Sequence, residues 1–242
     1  MRRFDPTFII FIAIMAYMTI TGGRFANPML WFQSTLFILP GIIIGLTFHE
    51  FAHAYSAYKL GDHTPKFQKR VSMNPIRHID PIGLICIIFI GFGWGKPVMV
   101  NPANFKKQRR DDTIVSLAGV ATNLVLAILF TGVYAVFLRW LVANWIIADW
   151  ASTVLRLLAN TIRINIILMV FNLIPVPPLD GFNFVAGVLG IKHTEAYFKM
   201  QQIGMWILMG LIVLGVIRTI ISYTVDPMFI SLMNFAMGFA GL

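Results

Sequence analysis

Residues 29 to 58 contain no lysine, arginine or aspartate, and that run constrains the chain more than any other feature in it. It exceeds the ~20 apolar residues a helix needs to cross a bilayer. Further apolar runs at residues 7–22, 113–138, 155–175, 203–222 and 226–241 bring the candidate transmembrane helices to about six. Composition agrees, with 58% hydrophobic residues, 12% charged residues and a mean hydropathy of +0.78. In a chain of 242 residues these spans leave no room for a soluble domain of ordinary size. The expectation is an all-α polytopic membrane protein, folded over residues 1–242 as a single membrane-embedded domain.

The net charge of +9 is better explained by topology than by nucleic acid, because Lys and Arg collect in cytoplasmic loops. Residues 81–94, "PIGLICIIFIGFGW", form a short apolar run that starts on proline and is rich in glycine at its end. That profile predicts a re-entrant or hairpin segment around residues 81–102 that does not cross. With the N-terminus cytoplasmic, all of the 19 Lys and Arg residues then fall inside except Arg24, Arg139, Arg156, Arg163 and Arg218. Cys86 is the only cysteine, which excludes an intrachain disulfide and a cysteine-based zinc cage. The N-terminal run resembles a secretory signal but lacks a small-x-small cleavage site, so a retained first span is expected. No internal repeat is visible, which weakens an inverted-repeat transporter reading.

Toward the end of the run at 29–58 stand His49, Glu50 and His53, in a place where ionisable groups are costly. On a helix the two histidines lie on one face, a turn apart, and can share one zinc ion. The intervening carboxylate is then placed to take a proton from water activated by the metal. Two histidines leave zinc underligated. The stretch "VFNLIPVPPLDGFNF", residues 170–184, offers Asp180 on backbone that Pro175, Pro177 and Pro178 would unwind, although the same residues also read as a plain turn. The histidines lie toward the cytoplasmic end of the second span, and Asp180 follows the cytoplasmic end of the fourth. They meet only if residues 81–94 do not cross.

These residues resemble the site-2 protease family of intramembrane zinc metalloproteases, especially its small forms without a PDZ domain. The HExxH of His49 to His53, "SLAGVATN" at residues 116–123 and "NLIPVPPLDG" look like the family's three elements in order, within a core of about residues 29–184. Val120 stands where the family often has proline, and Phe182-Asn183 where glycine or serine and arginine are common. The resemblance implies one Zn2+ per chain held by His49, His53 and Asp180, with Glu50 as the catalytic base. It further implies substrate-binding or oxyanion roles for Asn172 and Asn123, which from the residues alone are equally helix–helix hydrogen bonds.

The implied activity is hydrolysis of peptide bonds within or next to transmembrane segments, in regulated intramembrane proteolysis or clearance of membrane peptides. The partners are transmembrane protein or peptide substrates and the lipid bilayer, without nucleic acid, and an oligomer is left open. The implied location is a prokaryotic plasma membrane, with the site opening to the cytoplasm. Residues 93–102, "GWGKPVMVNP", read either as a strand edge for extended substrate, which the family implies, or as an ordinary loop. The alternatives of another class are a metal-ion transporter and a catalytically inactive scaffold of the same fold. His78 reads either as near the site or as a residue at the membrane interface, and His63 and His193 are expected in polar loops.

Overall fold

The structure, a computed structural model, describes residues 6–242 except 24, 92 and 193, so His193 lies outside the described residues. The described residues form helices and no strand. Among the described residues five helices are long and apolar enough to cross a membrane: α2 (Pro28–Lys59), α5 (Gln108–Ala143), α6 (Asp149–Leu173), α8 (Glu195–Val213) and α9 (Val216–Ala240). Shorter ones are α1 (Pro6–Thr21), α3 (Thr64–Phe67), α4 (Pro81–Ile90) and α7 (Asp180–Leu189). The chain is a multi-pass, all-α membrane protein.

α2, α5 and α6 pack together as the centre of the bundle. α2 starts at Asn27, whose side chain accepts the Leu30 N–H at 3.1 Å, with Pro28 in the first helical position. Small residues then let its neighbours approach. A Cβ on Gly41 would stand 2.9 Å from the Thr161 Cα, and one on Gly45 would stand 2.6 Å from Leu168 Cδ1. This Gly-x-x-x-Gly spacing on α2 is what admits α6, in the manner of membrane helices that associate by close backbone approach. α9 closes the other side, with Val225 buried among Val120, Ile162, Ile166 and Met169.

α4 is the re-entrant segment. Asp80 caps it by accepting the N–H groups of Ile82 and Gly83 at 2.9 and 3.0 Å, and Gly91 ends it in the left-handed conformation at φ +83°. The two flanks of the excursion then meet, since Ile79 and Gly95 form an antiparallel bridge and the Lys96 N–H donates to the His78 carbonyl at 2.7 Å. The chain therefore leaves where it entered.

The last two apolar runs divide differently from expectation. Hydropathy separates them near residues 223–225, but the break falls at Gly215, φ +75°, and Pro227 lies inside α9. Ile217, at the start of α9, packs with Ile174 and Leu179 beside the end of α6, while Phe239 at its other end receives the Arg139 guanidinium at 5.2 Å. α9 thus runs parallel to α5. α7 ends beside the start of α5, where Arg109 Nε donates to the Gly187 carbonyl at 3.0 Å. α8 therefore begins and ends at one end of the bundle. It lies across that end, with Leu208 packed among Ile174, Leu179 and Ile217, even though its length and composition suit a span.

Inside two candidate spans, Arg163 and Asp226 form an ion pair at 2.7 Å, which matches a cost of charge in lipid with a partner from the neighbouring helix. Asp226→Ala is expected to destabilise the protein by about 3 kcal/mol, because the arginine is left uncompensated. Joining it with Arg163→Leu should recover most of that loss. Thermal unfolding of both variants in lipid–detergent micelles reads the difference, and equal losses would show that the pairing is immaterial.

Candidate active site

His49 and His53 lie one turn apart on α2, and Asp180 opens α7. Their facing atoms form a nearly equilateral triangle: His49 Nε2 to Asp180 Oδ2 is 3.0 Å, His53 Nε2 to Asp180 Oδ2 is 3.1 Å, and the two Nε2 atoms are 3.2 Å apart. Zinc bonds of ~2.0–2.1 Å in tetrahedral geometry separate ligand atoms by about 3.3 Å, so the triangle has the size of a metal's face. Among the described residues this is the group of three that could hold a metal ion.

The opposite ring nitrogens say which electron pairs point inward. His53 Nδ1 lies 2.8 Å from the Val115 carbonyl, which can only accept. His49 Nδ1 lies 2.7 Å from Asn123 Oδ1, and Asn123 Nδ2 is committed as donor to Asn165 Oδ1 at 3.0 Å and the Gly45 carbonyl at 3.3 Å. Both imidazoles therefore carry hydrogen on Nδ1 and, when neutral, aim lone pairs from Nε2 at one another and at a carboxylate oxygen. Three acceptors converge with no donor among them. A cation at their centre satisfies all three, which is how an outer layer of hydrogen bonds prepares metal ligands.

Asp180, the third corner of the triangle, is delivered by close packing at the end of α6. Gly181 sits against the carbonyls of Leu173 and Ile174, and a Cβ there would stand 2.8 Å from the Ile174 oxygen. The Asp-Gly pair that reads as a turn is thus a helix start pressed onto the preceding helix, and the missing side chain lets Asp180 reach the histidines.

Two residues that sequence reasoning passed over carry this arrangement. Asn165, fully buried on α6, accepts from Asn123 and donates to the Thr161 carbonyl at 2.8 Å, which locks the amide that orients His49. Gly119 presents bare backbone to both imidazoles. A buried asparagine in a span was a visible signal for the first, while the second was visible only as part of the "SLAGVATN" match. Asn165→Leu is expected to weaken zinc affinity about 10-fold, a value read by competition with a chromogenic chelator.

Glu50 Oε2 accepts the Val98 N–H at 3.1 Å from the extended run after the re-entrant segment. Two groups hold that run from behind. Arg70 donates to the carbonyls of Arg77 and Pro97, the latter at 3.1 Å. Asp62 accepts the Asn101 N–H at 2.8 Å and the Asn104 side-chain amide at 2.7 Å. Burial raises the Asp62 pKa, but hydrogen bonds from Thr64, Asn101 and Asn104 outweigh it and hold the carboxyl below its ordinary value. His78, read as lying near the site or at the interface, is fully buried behind the run, with Nε2 2.6 Å from the Ser72 carbonyl. It is held there because its own carbonyl pairs with Lys96.

A cavity of about 1360 Å³ opens between this run and α8, lined by His49, Glu50, His53, Val98, Asn172 and Asp180 among others. Asn172 lines it while donating through Nδ2 to the Leu168 carbonyl at 3.0 Å. Asn123 is fully buried behind His49 and does not line the cavity.

Comparison with known proteins agrees with this geometry. The model of "Peptidase family M50" matches residues 37–215. "Putative zinc metalloprotease YwhC" of Bacillus subtilis strain 168 is 41% identical over 159 residues, covering 64% of this chain and 72% of the relative. "Putative zinc metalloprotease Rip2" of Mycolicibacterium smegmatis is 29% identical over 225 residues, covering 87% and 81%. Its Mycobacterium tuberculosis H37Rv counterpart is 29% identical over 216 residues, covering 84% and 78%. No solved structure matches. The matched stretch takes in α5 and all three converging side chains, and on that basis the chain belongs to peptidase family M50, the site-2 protease family, and is a membrane metalloprotease.

Proposed function

We propose that the protein hydrolyses peptide bonds within or next to the transmembrane segments of other membrane proteins, using one zinc ion held by His49 Nε2, His53 Nε2 and Asp180 Oδ2. The observation that carries this reading is the convergence of three acceptors, with both histidine tautomers set from outside, beside a carboxylate in a large cavity. A zinc ion bound by these three side chains would supply Lewis-acid polarisation of the scissile carbonyl and a lowered pKa for water.

The chain's own residues do the rest. Glu50 takes the proton of the attacking water on its carboxylate and passes it to the leaving amine, while the Val98 N–H keeps one oxygen oriented. Asn172 has a second amide hydrogen, beyond the one given to Leu168, to offer to the developing oxyanion. Asn123 serves as a positioning residue through His49. A helical substrate hides its amides, so it must be extended for attack. The run at residues 95–101 offers a backbone edge for pairing, directly beside Glu50.

Regulated intramembrane proteolysis or removal of membrane peptides is the biological use that fits such a site. The orientation follows from charge. The re-entrant segment returns to its starting side, so the loop after α2, the start of α5 and α7 share one end, and most basic residues cluster there. That end is cytoplasmic by the usual distribution of Lys and Arg.

Elemental mass spectrometry on detergent-purified protein tests the centre. About one zinc per chain is expected for wild type, less for Asp180→Ala and none for the His49→Ala, His53→Ala double variant. A zinc-free wild type that remains folded, or an Asp180→Ala variant that retains the metal unchanged, would overturn the ligand set.

A further inference from the structure

Between α2 and α4 the chain is arranged inside out. Asp62, Arg70 and His78 are buried, at 0, 6 and 0% exposure, whereas Phe67, Met73 and Ile76 are exposed at 83, 59 and 83%. The buried polar groups hold the extended run or its support: Asp62 with Asn101 and Asn104, Arg70 with Pro97 and Arg77, His78 through Nε2 with Ser72 and through its carbonyl with Lys96, its Nδ1 having no partner. The large apolar side chains are left outward. A loop surrounded by water would expose its charges and bury those three.

Depth explains the inversion. From Trp31 to Glu50 α2 rises about 28 Å, close to the thickness of the hydrocarbon layer. The polar junction at residues 22–27, just before α2, sets one boundary, so Glu50 lies near the other. Gly95 is beside Glu50, where a Cβ would stand 3.4 Å from Oε1, and Ile79 pairs with Gly95. The segment at residues 63–77, between the end of α2 and this level, falls in the headgroup layer. Its exposed charges are Lys66, Lys69 and Arg77, and none of them forms an ion pair with a described carboxylate. Apolar tips among unpaired cations complement a layer of phosphates above acyl chains.

We propose that residues 63–77 are a docking platform for an anionic lipid leaflet, which beds Phe67, Met73 and Ile76 below the phosphates while Lys66, Lys69 and Arg77 meet them. The platform carries the run that reaches Glu50, so the leaflet becomes part of what holds that run in place. The inference rests on the membrane-spanning fold and not on the peptidase reading, and zinc content measured on the same samples separates the two.

Nitroxide labels test it in the full chain, since Cys86 is buried and stays unlabelled. The probes are Phe67→Cys, Met73→Cys, Ile76→Cys and, as the aqueous reference, the exposed Lys106→Cys outside the platform, reconstituted in phosphatidylcholine vesicles with about one quarter phosphatidylglycerol. The first three labels are expected to collide with oxygen severalfold more than with a water-soluble nickel chelate, and the reference to show the reverse. In pure phosphatidylcholine, or after Lys66→Glu with Arg77→Glu, the three should become shallower. Free access of the chelate to all three would overturn the proposal. So would shielding from both reagents, the pattern of a covering protein copy, and so would equal depth in the two vesicle types.

Discussion

Gly119→Ala is expected to empty the metal centre while leaving the bundle folded. A methyl group on this residue would stand 2.5 Å from His53 Nε2, 2.6 Å from His49 Cε1 and 2.7 Å from His49 Nδ1. Real Cβ atoms do not come that close, so something must move. The imidazoles have nowhere to go without loss, because each Nδ1–H is committed, one to Asn123 and the other to the Val115 carbonyl on the same helix as Gly119. Moving α5 away from α2 would instead break the Asn123 hydrogen bonds to Gly45 and Asn165. Either response displaces a donor atom by a substantial fraction of an ångström, and catalytic geometry tolerates little of that. Proteolysis is expected to fall at least about 100-fold, with zinc per chain falling in parallel. Alanine is a good helix former, so helical content measured by circular dichroism should be unchanged. A variant that keeps full zinc and activity would show that the two helices are not held at the separation described.

The lesson of Gly119 extends to how much the sequence discloses. His49, Glu50 and His53 are legible because their chemistry depends on spacing within one helix, and Asp180 because prolines flag unwound backbone near the right membrane depth. The re-entrant segment is legible from Pro81, the glycines after Ile90 and a length too short to cross. What stays hidden depends on neighbours brought in by the fold. Gly41, Gly45 and Gly119 look like ordinary small residues until α6 and the imidazoles are beside them. Asn165 gains its role only through Asn123.

Hydropathy also misplaces boundaries for a physical reason. α5 continues from Gln108 through Arg109, Arg110, Asp111 and Asp112, beyond the apolar run, because a helix does not end where the bilayer does. The junction of α8 and α9 lies within a uniformly apolar stretch, where only the left-handed Gly215 marks it. Asp226-Pro227 looks like a break but sits within α9, where Arg163 compensates the charge. Hydropathy likewise reports that α8 suits lipid, but not that both of its ends are tied to the same end of the bundle.

Glu50→Gln is expected to produce the cleanest separation of chemistry from architecture. The carboxylate accepts the Val98 N–H at 3.1 Å, and in the proposed mechanism it also accepts a proton from the attacking water. Glutamine has the same length, and its amide oxygen can keep the first bond, so the extended run should stay in place. It cannot take the proton. Loss of a positioned general base costs typically 10²–10⁴-fold, and cleavage of a reconstituted transmembrane peptide is expected to fall by about that range. Zinc should remain at one per chain, because His49, His53 and Asp180 are untouched. Glu50→Ala removes both tasks and should in addition loosen residues 95–101, visible as faster amide exchange at Val98. If Glu50→Gln retained wild-type cleavage, the proton would have to travel by another group, and Glu50 would be left as a clamp on the extended run. If it lost zinc as well as activity, the carboxylate would belong to the metal's own coordination and the division of roles drawn here would fail.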